Sequence, residues 1–216
     1  LAALSDTPSH GRAAGWVTSA RRAVEALAMA GIGTGSADHQ AGAVRRLFTQ
    51  STIIELDGLN QSAREFLVPL LCLSVYLDRL GRSERERLEV VLVLEEAHHF
   101  LSSSGKRARA TVMDMILRQC REVGVGVITV AQHPHLLSSS ALGNSYTTLA
   151  LNLKDTPDIN RAAGVLGLSE AEKGMLSALP VGHAVVKLQD RYRQPFLIRI
   201  PQVPVRKGLV SDSDLA

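Results

Sequence analysis

Five apolar residues followed at once by two carboxylates constrain this chain more than any other stretch: Val90-Val91-Leu92-Val93-Leu94, then Glu95-Glu96-Ala97-His98. The run is too short for a helix and rich in valine, so it predicts a strand buried on both faces. Carboxylates at the end of such a strand are costly to desolvate unless they have a task. In open parallel sheets, ligands sit at the carboxyl ends of the strands. Two acids there have the layout of a Walker B element, in which one carboxylate holds the Mg²⁺ water shell and the next polarises an attacking water. Glu95 takes the first role and Glu96 the second. The plainer alternative is a strand that ends in a solvated acidic turn.

Around this element the pattern alternates. Residues 52–56 read as a buried strand ending at Asp57-Gly58. Ser62 and Glu65 have capping-box spacing and open a helix to about Leu80, which Pro69 should kink or push to a later start. A helix over about 108–123 stops at Gly124, and 125–131 is a second buried strand. Residues 149–153 form another strand, a short helix follows near 169–177, and 183–188 with 195–200 make a hairpin at one sheet edge. Upstream, 13–30 and 41–48 read as helices separated by a glycine- and serine-rich turn at 31–38. Strands alternating with helices predict an α/β fold with a mainly parallel sheet.

Composition sets limits. With 216 residues, 45% of them hydrophobic, the chain can bury one sizeable core. A net charge of +3 permits nucleic-acid binding without arguing for it. Cys72 and Cys120 sit among apolar residues with no disulfide framework or zinc spacing, which points to a reducing cytoplasm. No apolar run reaches membrane-spanning length, so no membrane association is expected. The chain opens on Leu1 and reads as the interior of a longer polypeptide.

Two more signals follow the acidic pair. Val112, Met113, Ile116, Leu117 and Cys120 form an apolar stripe, with Asp114, Arg118 and Arg121 on the opposite helix face. Arginines so placed are either a solvated surface or an arginine finger presented across a subunit boundary. The strand at 125–131 then runs into Gln132-His133-Pro134. An amide at that point can sense the γ-phosphate or the attacking water, or can satisfy backbone groups at a proline-marked turn.

In order and spacing these signals resemble the HerA-type branch of the HerA/FtsK ATPases. There a strand ending in Glu-Glu-Ala-His precedes an arginine-bearing helix, a glycine, and a strand ending in a Gln-x-Pro turn. The resemblance continues through residues 149–153 with Asp155, Asp158 and Arg161, and through Leu179-Pro180-Val181-Gly182-His183-Ala184. It covers roughly residues 50–203. It implies a RecA-like P-loop NTPase core, here a partial domain with a C-terminal β-hairpin edge. The organisation expected is a helical segment over 1–50, the core over 51–203 and an extended tail over 204–216. It also implies a cytoplasmic homo-hexamer that hydrolyses ATP with Mg²⁺ and translocates double-stranded DNA, with a nuclease or effector as partner. Glu95 and Glu96 match the Walker B acids, Gln132 the sensor, and Arg121, or else Arg118, the trans-acting arginine. Two features depart from the family. His133 stands where arginine is usual, and no Gly-x-x-x-x-Gly-Lys-Ser/Thr occurs. The glycine-rich 31–36 lacks the lysine, so the P-loop is expected upstream of Leu1, and this segment alone is expected to be inactive.

Lys106, Arg107 and Arg109 follow a serine-rich loop and are candidates for gripping DNA phosphates in a pore. Two rival readings stand beside the motor. One is a non-catalytic assembly module of such a ring. The other is a metal-binding protein using His98, His99, His133 and His135 to hold Zn²⁺.

Overall fold

The computed structural model describes residues 49–85, 87–102 and 111–204. The helices expected at 13–30 and 41–48, the turn at 31–38 and the tail from 205 lie outside the described residues. The chain forms two compact units, Leu1–Gln132 and His133–Ala216.

In the first unit, helix α1 spans Gln61–Leu80. Asn60, not Ser62, is its cap: the Asn60 side chain accepts from the Ala63 N–H at 2.9 Å. Pro69 lies inside the helix and neither ends it nor delays its start. The helix buries Ala63, Val68, Cys72, Val75 and Tyr76, and with them Arg79. A buried guanidinium needs partners. Arg79 Nε donates to the Val123 carbonyl at 3.1 Å and Nη2 to the Glu84 carbonyl at 2.8 Å. Tyr76 Oη donates to Gln119 Oε1 at 2.8 Å, tying α1 to the next helix.

That helix, α2, spans Val112–Gln119 and starts four residues after the expected position, at a capping box. The Asp114 N–H donates to Thr111 Oγ1, and the Thr111 N–H donates back to Asp114 Oδ2. Asp114 therefore serves the helix end. The chain then tightens into a 3-10 turn, Cys120–Val123, closed by Gly124 at φ 71°. A Cβ on Gly124 would lie 2.2 Å from the Arg87 carbonyl oxygen, so only glycine fits both the backbone and the space.

Strands β1 (Val90–Leu94) and β2 (Val125–Thr129) pair in parallel, with Val90 opposite Val125 and Leu94 opposite Thr129. β1 is not buried on both faces as expected. Val91 and Val93 are 48% and 62% exposed, while Leu94 is buried, so its two faces differ. Each of the two strands has a single hydrogen-bonded neighbour among the described residues. Residues 52–56 are not a strand, and Ile53 is 90% exposed. Their polar groups close locally instead. The Leu59 N–H donates to the Leu56 carbonyl, and Arg64 reaches back from α1 to the Leu59 and Asp57 carbonyls.

The second unit is an antiparallel meander of β3 (Thr147–Ala150), β4 (His183–Leu188) and β5 (Tyr192–Arg199), with β4 central. The expected C-terminal hairpin is present as β4–β5. Pro195 is tolerated in β5 because β5 is an edge strand. Helix α3 (Ser139–Gly143) precedes β3. Helices α4 (Thr156–Leu166), α5 (Glu170–Lys173) and α6 (Met175–Ala178) connect β3 to β4. Their apolar faces form a core of Ala162, Ala163, Leu166 and Leu176 with Ala150 and Val185 of the sheet. Among the described residues, parallel pairing is confined to β1 and β2.

Candidate active site

The exits of β1 and β2 are tied together by two backbone hydrogen bonds. The Val130 N–H donates to the Leu94 carbonyl and the Ala97 N–H to the Val130 carbonyl, both at 2.9 Å. Between these bonds the chain must turn sharply, and the turn consists of Glu95 and Glu96. Glu96 adopts φ 49° and ψ 44°, the one positive φ at a non-glycine residue among the described ones. A left-handed conformation costs an L-residue roughly 1–2 kcal/mol, and strain of this kind concentrates at functional sites.

The turn aims the Glu96 carboxylate across the strand exits. Gln132 Nε2 donates to Glu96 Oε1, while His98 Nδ1 lies 3.3 Å from Oε2. Oε1 is thus hydrogen-bonded, Oε2 lies beside the His98 ring, and the group still reaches solvent. His99 Nδ1 lies 3.4 Å from Gln61 Nε2, linking the 3-10 turn Ala97–His99 to the first residue of α1. Glu95 is exposed at the same strand exit. A carboxylate oriented by an amide at the carboxyl ends of neighbouring parallel strands can polarise a water. An exposed carboxylate beside it suits the hydrated shell of Mg²⁺.

Of the sequence-predicted residues, the structure brings together Glu96 and Gln132, with Glu95 adjacent. Arg118 lies in the last turn of α2, and Arg121 lies on the 3-10 turn after it; both are exposed. Lys106, Arg107 and Arg109 lie outside the described residues.

A second cluster, within the His133–Ala216 unit, joins two of the histidines expected to hold Zn²⁺, His133 and His135, to Asp158, which the sequence did not connect with them. Asp158, in the first turn of α4, has a side chain only 3% exposed. Its Oδ1 accepts the His135 backbone N–H at 3.0 Å and lies 2.7 Å from His135 Nδ1. Its Oδ2 lies 3.1 Å from His133 Nδ1. Burial by itself would raise the Asp158 carboxyl. The His135 N–H and the two imidazoles outweigh it and hold the group below its ordinary value. Among the described residues, His133, His135 and Asp158 are the group able to converge on a metal ion. His98 and His99, the other half of the expected zinc set, belong to the first unit and not to this group.

No family model matches the chain. Two solved structures give its fold. VirB4 of Thermoanaerobacter pseudethanolicus is 22% identical with a TM-score of 0.52, covering 69% of this chain and 40% of that one. The genome packaging NTPase B204 of Sulfolobus turreted icosahedral virus 2, in complex with ATP-gammaS, is 13% identical with a TM-score of 0.50, covering 63% and 62%. The fold is that of a RecA-like P-loop ATPase core, present here in part. In sequence the chain is HerA-like. The DNA double-strand break repair helicase HerA of Sulfurisphaera tokodaii is 27% identical over 172 residues, 75% of this chain and 33% of that protein. A probable HerA of Methanocaldococcus jannaschii is 31% identical over 100 residues, 45% of this chain and 20% of that protein. The chain thus spans about a third of the length of the first of these relatives or less. No helix among the described residues is long and apolar enough to cross a membrane.

Proposed function

We propose that this chain supplies the hydrolytic half of an ATP-driven DNA translocase motor of the HerA type. The observation that carries the reading is the Gln132–Glu96 hydrogen bond across the β1 and β2 exits, made by a glutamate held in a left-handed turn. It supports Glu96 as the group that orients and polarises the attacking water, with Gln132 as the sensor that couples it to the γ-phosphate. Glu95 is the residue that would hold the water shell of a Mg²⁺ ion bound with ATP, which would supply charge neutralisation at the phosphates. Arg121, with Arg118 as second candidate, stabilises the γ-phosphate of a neighbouring subunit in a homo-hexameric ring. Lys106, Arg107 and Arg109 grip duplex DNA, and a nuclease or effector acts on the product. The reading requires a phosphate-binding loop, which these 216 residues do not contain. Sequence similarity to HerA and the RecA-like fold support it.

The test is ATP turnover by the full polypeptide that carries these residues, as wild type and as Glu96→Gln, with and without duplex DNA. Turnover should fall at least ~100-fold with ATP binding retained, the size expected for losing a positioned base, and DNA should stimulate the wild type. Equal rates in the two proteins would overturn the assignment and favour a non-catalytic assembly module.

A further inference from the structure

We propose that His133, His135 and Asp158 form a binding site for a borderline transition-metal dication, Zn²⁺ being the natural occupant, separate from the Mg²⁺ requirement of ATP hydrolysis. The three side chains each present one ligand atom, and these atoms all lie within 4.8 Å of one another. Two imidazole nitrogens and one carboxylate make a donor set that suits Zn²⁺, Co²⁺ or Ni²⁺ and disfavours Mg²⁺ and Ca²⁺, which take oxygen ligands.

The geometry is built before any ion arrives. Pro134 separates the two histidines and starts the 3-10 turn Pro134–Leu136, so their backbones are held in one tight turn. The His135 N–H fixes Asp158 Oδ1 from outside the ligand set, the kind of second hydrogen bond that orients a ligating carboxylate. Ligands about 2.0–2.2 Å from a tetrahedral zinc lie roughly 3.3–3.5 Å apart. The ligand atoms, all within 4.8 Å of one another, must close by up to about 1.5 Å onto a shared ion, and because the present contacts of 3.1 and 2.7 Å run to different oxygens of Asp158, the carboxylate shifts its contacts when an ion is held. His133 and His135 are partly solvent-exposed whereas Asp158 is buried. An ion held there has protein on the Asp158 side and water on the other, which leaves a coordination position open.

The alternative is that Asp158 simply anchors the 134–136 turn through hydrogen bonds, and metal titration separates the two. The full chain is stripped with chelator and titrated, free of nucleotide and Mg²⁺, with Co²⁺ followed by its visible absorption and then with Zn²⁺ as competitor. The expected result is one Co²⁺ per chain, displaced by Zn²⁺. Affinity should fall at least ~10-fold in His133→Ala and in His135→Ala, and binding should be lost in the double variant. His98→Ala/His99→Ala should bind as wild type. Each imidazole also partners the buried Asp158 carboxylate, so the variants should melt below wild type; the melt is recorded alongside and binding is compared where each variant is folded. Absence of stoichiometric binding, undiminished binding in the double His133/His135 variant, or loss of binding in the His98/His99 variant would each overturn the site. The ATPase reading does not depend on the outcome.

Discussion

Glu96 keeps an unfavourable backbone conformation because the strand exits leave no other way round the turn. The Ala97 and Val130 N–H groups are both committed to the opposite strand exit. If the residue were there for stability, removing its side chain would be costly. Glu96→Gly loses one solvent-exposed hydrogen bond, worth about 0.5–1.5 kcal/mol, and gains chain entropy in the unfolded state, about 0.5–1 kcal/mol. Relief of the left-handed strain returns roughly 1–2 kcal/mol. The stability read from urea melts should therefore fall by no more than about 1.5 kcal/mol while ATP turnover is abolished. A loss of several kcal/mol would mark Glu96 as a structural residue. The cysteines make a second test at this scale. Burial pushes the Cys72 thiol up to about 11, opposed only in part by a backbone hydrogen bond. Cys120, half-buried, is also raised by burial. At pH 8 roughly one Cys72 in a thousand is ionised, so native alkylation should be slow, slower at Cys72 than at Cys120. In urea the two should react at a common rate. Fast native labelling of Cys72 would mean that the buried face of α1 opens readily.

At the scale of elements, the signals that proved legible were local ones. The apolar runs of β1 and β2, the helix stop at Gly124 and the β4–β5 hairpin each carry their reason within a few residues. What could not be read depended on partners distant in the chain. Residues 52–56 have strand composition, but a strand exists only by pairing, and here the Leu56 carbonyl accepts from the Leu59 N–H in a local turn. Asn60 and Ser62 are both good caps, and the choice fell on the side chain that reaches the Ala63 N–H. Asp158 sits 23 and 25 residues from the histidines it joins, beyond any spacing rule. Two substitutions test which local devices matter. Asn60→Ala should cost about 1 kcal/mol, the usual value of a cap. Gly124→Ala meets both the φ of 71° and the Arg87 carbonyl 2.2 Å from the added carbon, so it should cost clearly more, at least about 2 kcal/mol. Paired urea melts give the ranking. A Gly124→Ala variant as stable as wild type would show that the Arg87 carbonyl moves aside freely, although the nearby Glu89 N–H is bonded to the Gly124 carbonyl at 2.9 Å.

At the scale of the whole molecule the open issue is where a site begins and ends. The Glu96–Gln132 pair and the two arginines belong to the same compact unit, yet both arginines are exposed at the end of α2. On the proposed reading they serve a different copy's nucleotide, so each ring site would be assembled from two subunits. A mixing experiment decides this more sharply than single variants can, because Glu96→Gln and Arg121→Ala should each be inactive alone whichever way the arginine acts. In a ring assembled from both, some interfaces pair a subunit that retains Glu96 with a neighbour that retains Arg121. For random assembly of equal amounts this is about a quarter of the interfaces, by the head-to-tail geometry of a cyclic ring. If Arg121 acts in trans, the mixture should recover turnover up to about that fraction of wild type, and the recovery should follow the product of the two mole fractions. If Arg121 acts in cis, every site carries one defect and no mixture recovers. The same titration with Arg118→Ala in place of Arg121→Ala identifies which of the two arginines crosses the boundary, since only that variant is complemented by Glu96→Gln.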